Sequence, residues 1–248
     1  MKQRAICEYL EWDSRFFGRR IARTGVSRLT DDAVTEIRAW CRLHKIECLY
    51  FLGDAGDPTT TRLAESNNFK LVDVRLTLEI QVPEQCTTDT SSSRIRGFLE
   101  QDIPALRGIA KASHRDSRFY FDGNFPARLC DELYETWIEK SCRGSAHNVL
   151  VAEHEGAPVG YITCHLDDPE SGHIGLISVQ ADIQGKGLGK ALVCQAKSWF
   201  AEQEIKTVHV VTQGRNVRAQ RLYQRCGFVT RSVELWYHRW FVEREENP

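Results

Sequence analysis

From about Arg94 onward the apolar residues keep two rhythms, a period of two in short runs and a three-and-four step in longer ones. The first rhythm predicts strands at 94–99, 148–156, 158–166, 173–180, 207–214 and 228–240, with a hairpin turn at Glu155-Gly156-Ala157. The second predicts helices at 126–142, 187–205 and 216–226, and one starting near Asp102, where Asp102 can cap and Pro104 suits the first turn. Within 187–205, Leu188, Ala191, Leu192, Ala196, Trp199 and Phe200 form one buried stripe that only Gln195 interrupts. Helices placed between strands imply a mixed, twisted α/β sheet with helices on both faces.

One stretch breaks the pattern. Residues 83–93 (PEQCTTDTSSS) are small and polar without apolar periodicity, which reads as a linker between an N-terminal piece, 1–82, and a larger domain, 94–248. Composition agrees with a globular chain of 248 residues, at 42% hydrophobic and 27% charged. A formal net charge of −1, without any run of five basic residues, argues against a nucleic-acid partner. The start lacks an apolar signal core and no run of 18 apolar residues occurs, so a cytoplasmic protein without a membrane span is expected.

The nine cysteines are scattered and form no CxxC or Cys/His cluster, so neither a metal site nor a disulfide framework is expected. Chemistry concentrates instead in Gln184-Gly185-Lys186-Gly187-Leu188-Gly189-Lys190, between a strand and a helix. Three glycines there allow backbone N–H groups to crowd an anion at a helix N-terminus, and Lys186 and Lys190 add charge. The glycines alone are equally compatible with a tight turn. A phosphate-binding P-loop fails because Ala191 follows Gly189-Lys190 where a hydroxyl is required, and a dinucleotide loop fails on glycine spacing.

Two sequence features decide between those readings. Gln184-x-x-Gly187-x-Gly189 follows a strand ending Ile177-Ser178-Val179, and Asn216, Ala219, Tyr223, Gly227 and Phe228 complete N-x-x-A-x-x-x-Y-x-x-x-G-F. Together they resemble the acetyl-CoA-binding core of GNAT-superfamily N-acetyltransferases, over residues 94–240. The resemblance implies a GNAT fold and acetyl-CoA as co-substrate. It places the pantetheine arm and thioester on Ile177, Ser178 and Val179, with the strand end splayed from its neighbour. The pyrophosphate falls on Gln184, Gly185, Lys186, Gly187, Leu188, Gly189 and Lys190, and Asn216 contacts the pantetheine while capping its helix. It makes Tyr223, two helical turns after Asn216, the acid that protonates the CoA thiolate. The base stays open among Glu153, His165, His173 and a water relay.

The first 82 residues show a weaker echo of the same pattern. Residues 62–69 followed by VDVRLTLEI parallel residues 221–228 followed by RSVELWYHRW at a constant offset (221 − 62 = 159), with Ala64 in the place of Tyr223. A smaller, degenerate GNAT-like N-terminal domain is expected. The opening LEWDSRFFG, with Ser117-Arg118-Phe119 and Trp137-Ile138-Glu139, resembles GNAT enzymes that acetylate a TDP-linked 4-amino-4,6-dideoxygalactose. That resemblance implies a nucleotide-sugar acceptor lined by segment 114–125, with Arg115 and Arg118 on phosphates and Phe119 and Tyr120 stacked on a sugar or base. Another small amine or a peptide N-terminus, a non-catalytic acetyl-CoA-binding module, and a homodimer through exposed edge strands remain open.

Overall fold

The computed structural model describes residues 5–82 and 94–241, and the expected linker 83–93 lies outside the described residues. The described strands are β1 (Cys7–Tyr9), β2 (Ile21–Thr24), β3 (Cys48–Asp54), β4 (Lys70–Gln81), β5 (Arg94–Gly97), β6 (Asn148–His154), β7 (Ala157–Leu166), β8 (Ser171–Val179), β9 (Thr207–Gln213) and β10 (Val229–Trp240). The helices are α1 (Glu11–Phe17), α2 (Asp31–Leu43), α3 (Pro58–Ser66), α4 (Ile103–Ala112), α5 (Arg118–Asp122), α6 (Ala127–Lys140), α7 (Leu188–Glu202) and α8 (Val217–Arg225).

Chain contacts divide the protein into two units. Unit 1 is Met1–Arg75, Ser117–Leu129 and Val233–Pro248, and unit 2 is Leu76–Asp116 and Cys130–Ser232. This division departs from a single cut after residue 82, and strand pairing is the reason. In unit 1, β10 runs antiparallel to β3, with Trp240 opposite Cys48 and Glu234 opposite Asp54. In unit 2, the end of β4 lies beside β9, where Val82 N–H donates to the Lys206 carbonyl. The elements β3, α3 and β4 recur as β9, α8 and β10 with both ends of each displaced by 159 residues (207 − 48, 217 − 58 and 229 − 70). The boundary between the units falls inside both last strands of these runs, after Arg75 in β4 and after Ser232 in β10.

In unit 1 the strand order is β1-β2-β3-β10, with β2 and β3 parallel across α2. Its core gathers Ile37 and Cys41 of α2 with Leu49 and Phe51 of β3, Ala64 of α3 and Tyr237 of β10. Thr30 starts α2 by accepting the Ala33 N–H, and Asp57 starts α3 by accepting from Thr59 and Thr60 with Pro58 in the first turn.

In unit 2 the order is β4-β9-β8-β7-β6-β5. The strands β5 to β8 are antiparallel and β8 to β9 is parallel, because α7 carries the chain back to the same end of the sheet. The expected apolar stripe of α7 supplies Leu188, Leu192, Ala196 and Phe200 to a core with Ile162, Ile174, Val208 and Phe228. Asp102 stands at the start of α4 without capping it. Its carboxylate, 2% exposed, instead holds Arg96 at 2.6 and 3.0 Å and the Leu99 N–H at 2.8 Å. The strong charge-assisted bonds to the guanidinium outcompete the cap, and they hold the Asp102 carboxyl below its ordinary range.

Candidate functional site

The parallel pairing of β8 with β9 covers only Ser171–Ile174 against Thr207–Val210. Beyond that point β8 continues to Val179 and β9 to Gln213, without further registered pairs between them. On its other side β8 stays paired with β7 up to Gly160 opposite Val179. The strands thus part on one side only, which opens polar backbone along 175–179 to a ligand lying in the gap. A bulge in β8, where Gly175 and Leu176 oppose the single Thr163 of β7, accompanies the change, and the Thr163 hydroxyl takes up the Leu176 N–H at 2.8 Å.

Side chains on β8 alternate between two faces. Ile177 and Val179 pack with the α7 core, as does Ile162 opposite Ile177. Ser178 points to the other face beside Tyr161, its partner on β7.

The glycine-rich loop leaves β8 through a 3₁₀ turn at Ala181–Ile183. Gln184 Nε2 donates to the Val179 carbonyl at 2.7 Å, clipping the loop to the strand end. Gly185 and Gly187 have φ of 87° and 84°, the left-handed region that glycine enters without cost. Gly187 is the N-cap of α7 and makes no side-chain cap. The N–H groups of Leu188, Gly189 and Lys190 therefore lack intrahelical partners at the positive end of a 15-residue helix. Gly185, Lys186, Gly187 and Lys190 are exposed, and buried Leu188 anchors the loop to the core. Gly189 has a different reason to be glycine. A Cβ there would sit 3.3 Å from Leu222, so it sets the approach of α7 to α8.

Asn216 caps α8 by accepting the Ala219 N–H at 3.0 Å. Tyr223 lies in the same buried cluster as Val179 and Leu188 and is 3% exposed. Burial pushes its phenol above the ordinary tyrosine value, so it stays protonated through the physiological range. Among the described residues no hydrogen bond engages its hydroxyl.

The expected bases sit badly for that strand end. His165 and His173 face each other across β7 and β8 with rings stacked at 4.6 Å. His173 is five residues from Ser178, roughly 17 Å along an extended strand. His173 also bonds Asp167 at 2.7 Å, and burial lowers the His165 pKa to about 4. Glu153 is engaged by Arg96 at 2.7 Å.

The residues expected to meet an acceptor fall in different environments. Arg115, in unit 2, pairs with Asp131 at 3.2 Å. In unit 1, Arg118 lies over the rings of Tyr50, Phe119 and Trp236, and its Nε donates to His238. Phe119 is 3% exposed and packs on Phe17 and Phe125 as core, which corrects its expected stacking on a ligand. Tyr120 is half-buried.

The structure adds a cluster at Ser178. Ser113 Oγ lies 2.5 Å from Ser178 Oγ, and the next residue, His114, brings Nε2 within 3.1 Å of the Tyr161 hydroxyl. The His114 ring stacks on Tyr134 of α6 at 4.5 Å. Four separate chain segments meet here, and no local spacing links them. The sequence points to Ser178 and to the segment 114–125 that His114 opens, without joining them to Ser113, Tyr134 or Tyr161. Among the described residues no His, Cys, Asp and Glu group has metal-holding geometry, and no helix is long and apolar enough to cross a membrane.

Residues 112–228 match the Acetyltransferase (GNAT) family. The chain is 26% identical over 245 residues to dTDP-fucosamine acetyltransferase of Escherichia coli O6:H1, covering 96% of this chain and 100% of that protein. It is 30% identical over 139 residues to the spore coat polysaccharide biosynthesis protein SpsD of Bacillus subtilis. That match covers 56% of this chain and spans about half, 48%, of the relative's length. Among solved structures, a GCN5-related N-acetyltransferase from Sphaerobacter thermophilus superposes with a TM-score of 0.69 at 15% identity, over 94% of this chain and 76% of that one. At that identity the likeness concerns the fold alone.

Proposed function

On the premise that this chain carries a GNAT-family acetyltransferase domain with the α/β GNAT fold, a mixed sheet flanked by helices, we propose that it transfers an acetyl group from acetyl-CoA to the amino group of a nucleotide-linked amino sugar of the TDP-4-amino-4,6-dideoxyhexose type. The observation that carries the donor half is the one-sided parting of β8 from β9 next to an uncapped helix N-terminus. The gap would accept an extended amide-bearing arm along the β8 backbone. The α7 N-terminus, with Lys186 and Lys190, suits a pyrophosphate. The acceptor half rests on the similarity to dTDP-fucosamine acetyltransferase, which runs through both units of the chain.

In this reading Ile177, Ser178 and Val179 align the thioester. Gln184 acts through the protein, since its side chain holds the Val179 carbonyl and so sets the loop that cradles the phosphates. Asn216 fixes the first turn of α8, and Tyr223 supplies the proton to the departing thiolate. A buried phenol with a raised pKa is protonated when the thiolate forms, which is the state the step requires. The 159-residue recurrence of β3-α3-β4 as β9-α8-β10 supports a degenerate GNAT-like N-terminal repeat, in which Ala64 stands where Tyr223 does.

The test is incubation of the purified chain with acetyl-CoA and a panel of TDP- and UDP-linked amino sugars, read by mass spectrometry for a gain of one acetyl group. Acetylation of a polyamine or peptide amine and of none of the sugars would refute the acceptor.

A further inference from the structure

The reaction needs a group that accepts the proton lost by the attacking amine, and the expected candidates are remote or engaged. We infer that His114 is this general base, with Tyr161 holding its ring and the Ser113–Ser178 contact fixing it to the reacting strand end. The inference deepens the acetyl-transfer reading and rests on it.

Three observations converge on His114. The first is its face of the sheet. The donor loop, α7 and Tyr223 share the face of β8 that carries Ile177 and Val179. Tyr161 and Ser178, with Ser113 and His114 over them, occupy the opposite face. A thioester laid along the end of β8 would have its sulfur toward Tyr223, and a nucleophile would arrive from the side of His114. The second is the ring's bonding. Nε2 meets a neutral hydroxyl, and among the described residues nothing bonds Nδ1. With Nε2–H donating to the Tyr161 oxygen, the Nδ1 lone pair is open. The third is backbone. His114 has φ of 58°, uncommon for a residue with a side chain, immediately after α4 ends. That conformation turns the ring back onto β7.

The titratable groups facing the ring include Tyr134 from α6 and Tyr161 from β7, with Cys142 near Tyr161, and burial raises the Tyr161 phenol above its ordinary value. The adjacent Arg115 pairs with Asp131. Burial lowers the His114 pKa to about 4, so the imidazole is neutral and ready before the amine attacks. As the C–N bond forms, the nitrogen becomes cationic and strongly acidic, and its proton passes to Nδ1. The C–S bond breaks with its electron pair leaving on sulfur, which takes the Tyr223 proton. The imidazolium and phenolate then exchange one proton through solvent. The products are the N-acetyl compound and free CoA, and the enzyme is restored.

The experiment compares wild type, His114→Gln and His114→Ala in continuous thiol-release assays with acetyl-CoA and TDP-4-amino-4,6-dideoxygalactose. For His114→Gln, kcat is expected to fall about 100-fold or more with the acetyl-CoA KM within twofold and an unchanged melting temperature. Its log kcat rises with pH as hydroxide replaces the lost base, while wild type is flat above the amine's own pKa. Added imidazole restores part of the His114→Ala rate in a concentration-dependent way. A kcat within threefold of wild type, or a loss that neither pH nor imidazole relieves, overturns the assignment. A wild type inert toward this sugar but active on another amine in the same assay would refute the sugar acceptor instead, and the variants are then compared on that amine.

Discussion

Replacing Tyr223 by Phe separates catalysis from stability at one buried atom. The residue is 3% exposed, and its ring packs 5.8 Å from Phe228, a contact that Phe preserves. Since no hydrogen bond among the described residues engages the hydroxyl, its removal breaks none among them. The stability change should stay within about 1 kcal/mol, or roughly 2–4 °C in melting temperature for a chain of this size. The barrier to acetyl transfer should respond far more. A positioned general acid contributes about 100- to 10,000-fold, so the variant loses about 3–5 kcal/mol of transition-state stabilisation. The assay is thiol release under saturating acetyl-CoA, with KM for acetyl-CoA and thermal unfolding measured on the same preparation. A large fall in kcat with KM within twofold and a nearly unchanged melting temperature is the expected outcome. Turnover within threefold of wild type would remove Tyr223 as the acid. A fall matched by equal destabilisation would show that its role is packing.

Other consequences follow from particular contacts. Gly187→Ala keeps free space around the new Cβ but places a side chain at φ 84°. The expected cost is about 1–2 kcal/mol of backbone strain and a raised acetyl-CoA KM; equal KM values would exclude the loop from donor binding. Arg96→Ala leaves the Asp102 carboxylate buried and unpaired, and should cost about 3–5 kcal/mol in urea unfolding. The more exposed Arg107→Ala, paired with Glu135 and Glu139 on the helix surface, should cost less than about 1 kcal/mol. His114, His165 and His238 are each held near pKa 4 by burial, well below the unfolded value of about 6.5. The unfolded chain binds more protons in that window, so their contribution is complete above pH 6.5 and is lost as pH falls toward 4. His165→Asn should flatten the slope of unfolding free energy between pH 5 and 6 by about 1 kcal/mol per pH unit; an unchanged slope would contradict its burial as a neutral ring.

The chain's own order of residues determined the elements that build the proposed donor half of the site. The alternation in β7 and β8, the three-and-four stripe of α7, and Gln184-Gly185-Lys186-Gly187 each act within a few neighbours, where periodicity and backbone sterics decide the outcome. Asn216 and Tyr223 are legible for the same reason, because seven residues of helix carry one to the face of the other. Even the recurrence at 159 residues is visible in the order of residues, as two similar local patterns.

Tertiary structure alone decided the rest. The 159-residue recurrence does not say that β4 passes from the first unit to the second after Arg75, or that β10 passes from the second to the first after Ser232, since strand partners are chosen by long-range packing. Asp102 looks like a helix cap until Arg96 is brought within 2.6 Å of it. Phe119 looks like a ligand platform until Phe17 and Phe125 close over it. His165, attractive on intrinsic pKa, is carried by strand register to the wrong end of β8. Ser113 reaches Ser178, and His114 reaches Tyr161, only because α4 ends beside β7 and β8. No local rule connects residues 114, 161 and 178, which come together only in the folded sheet.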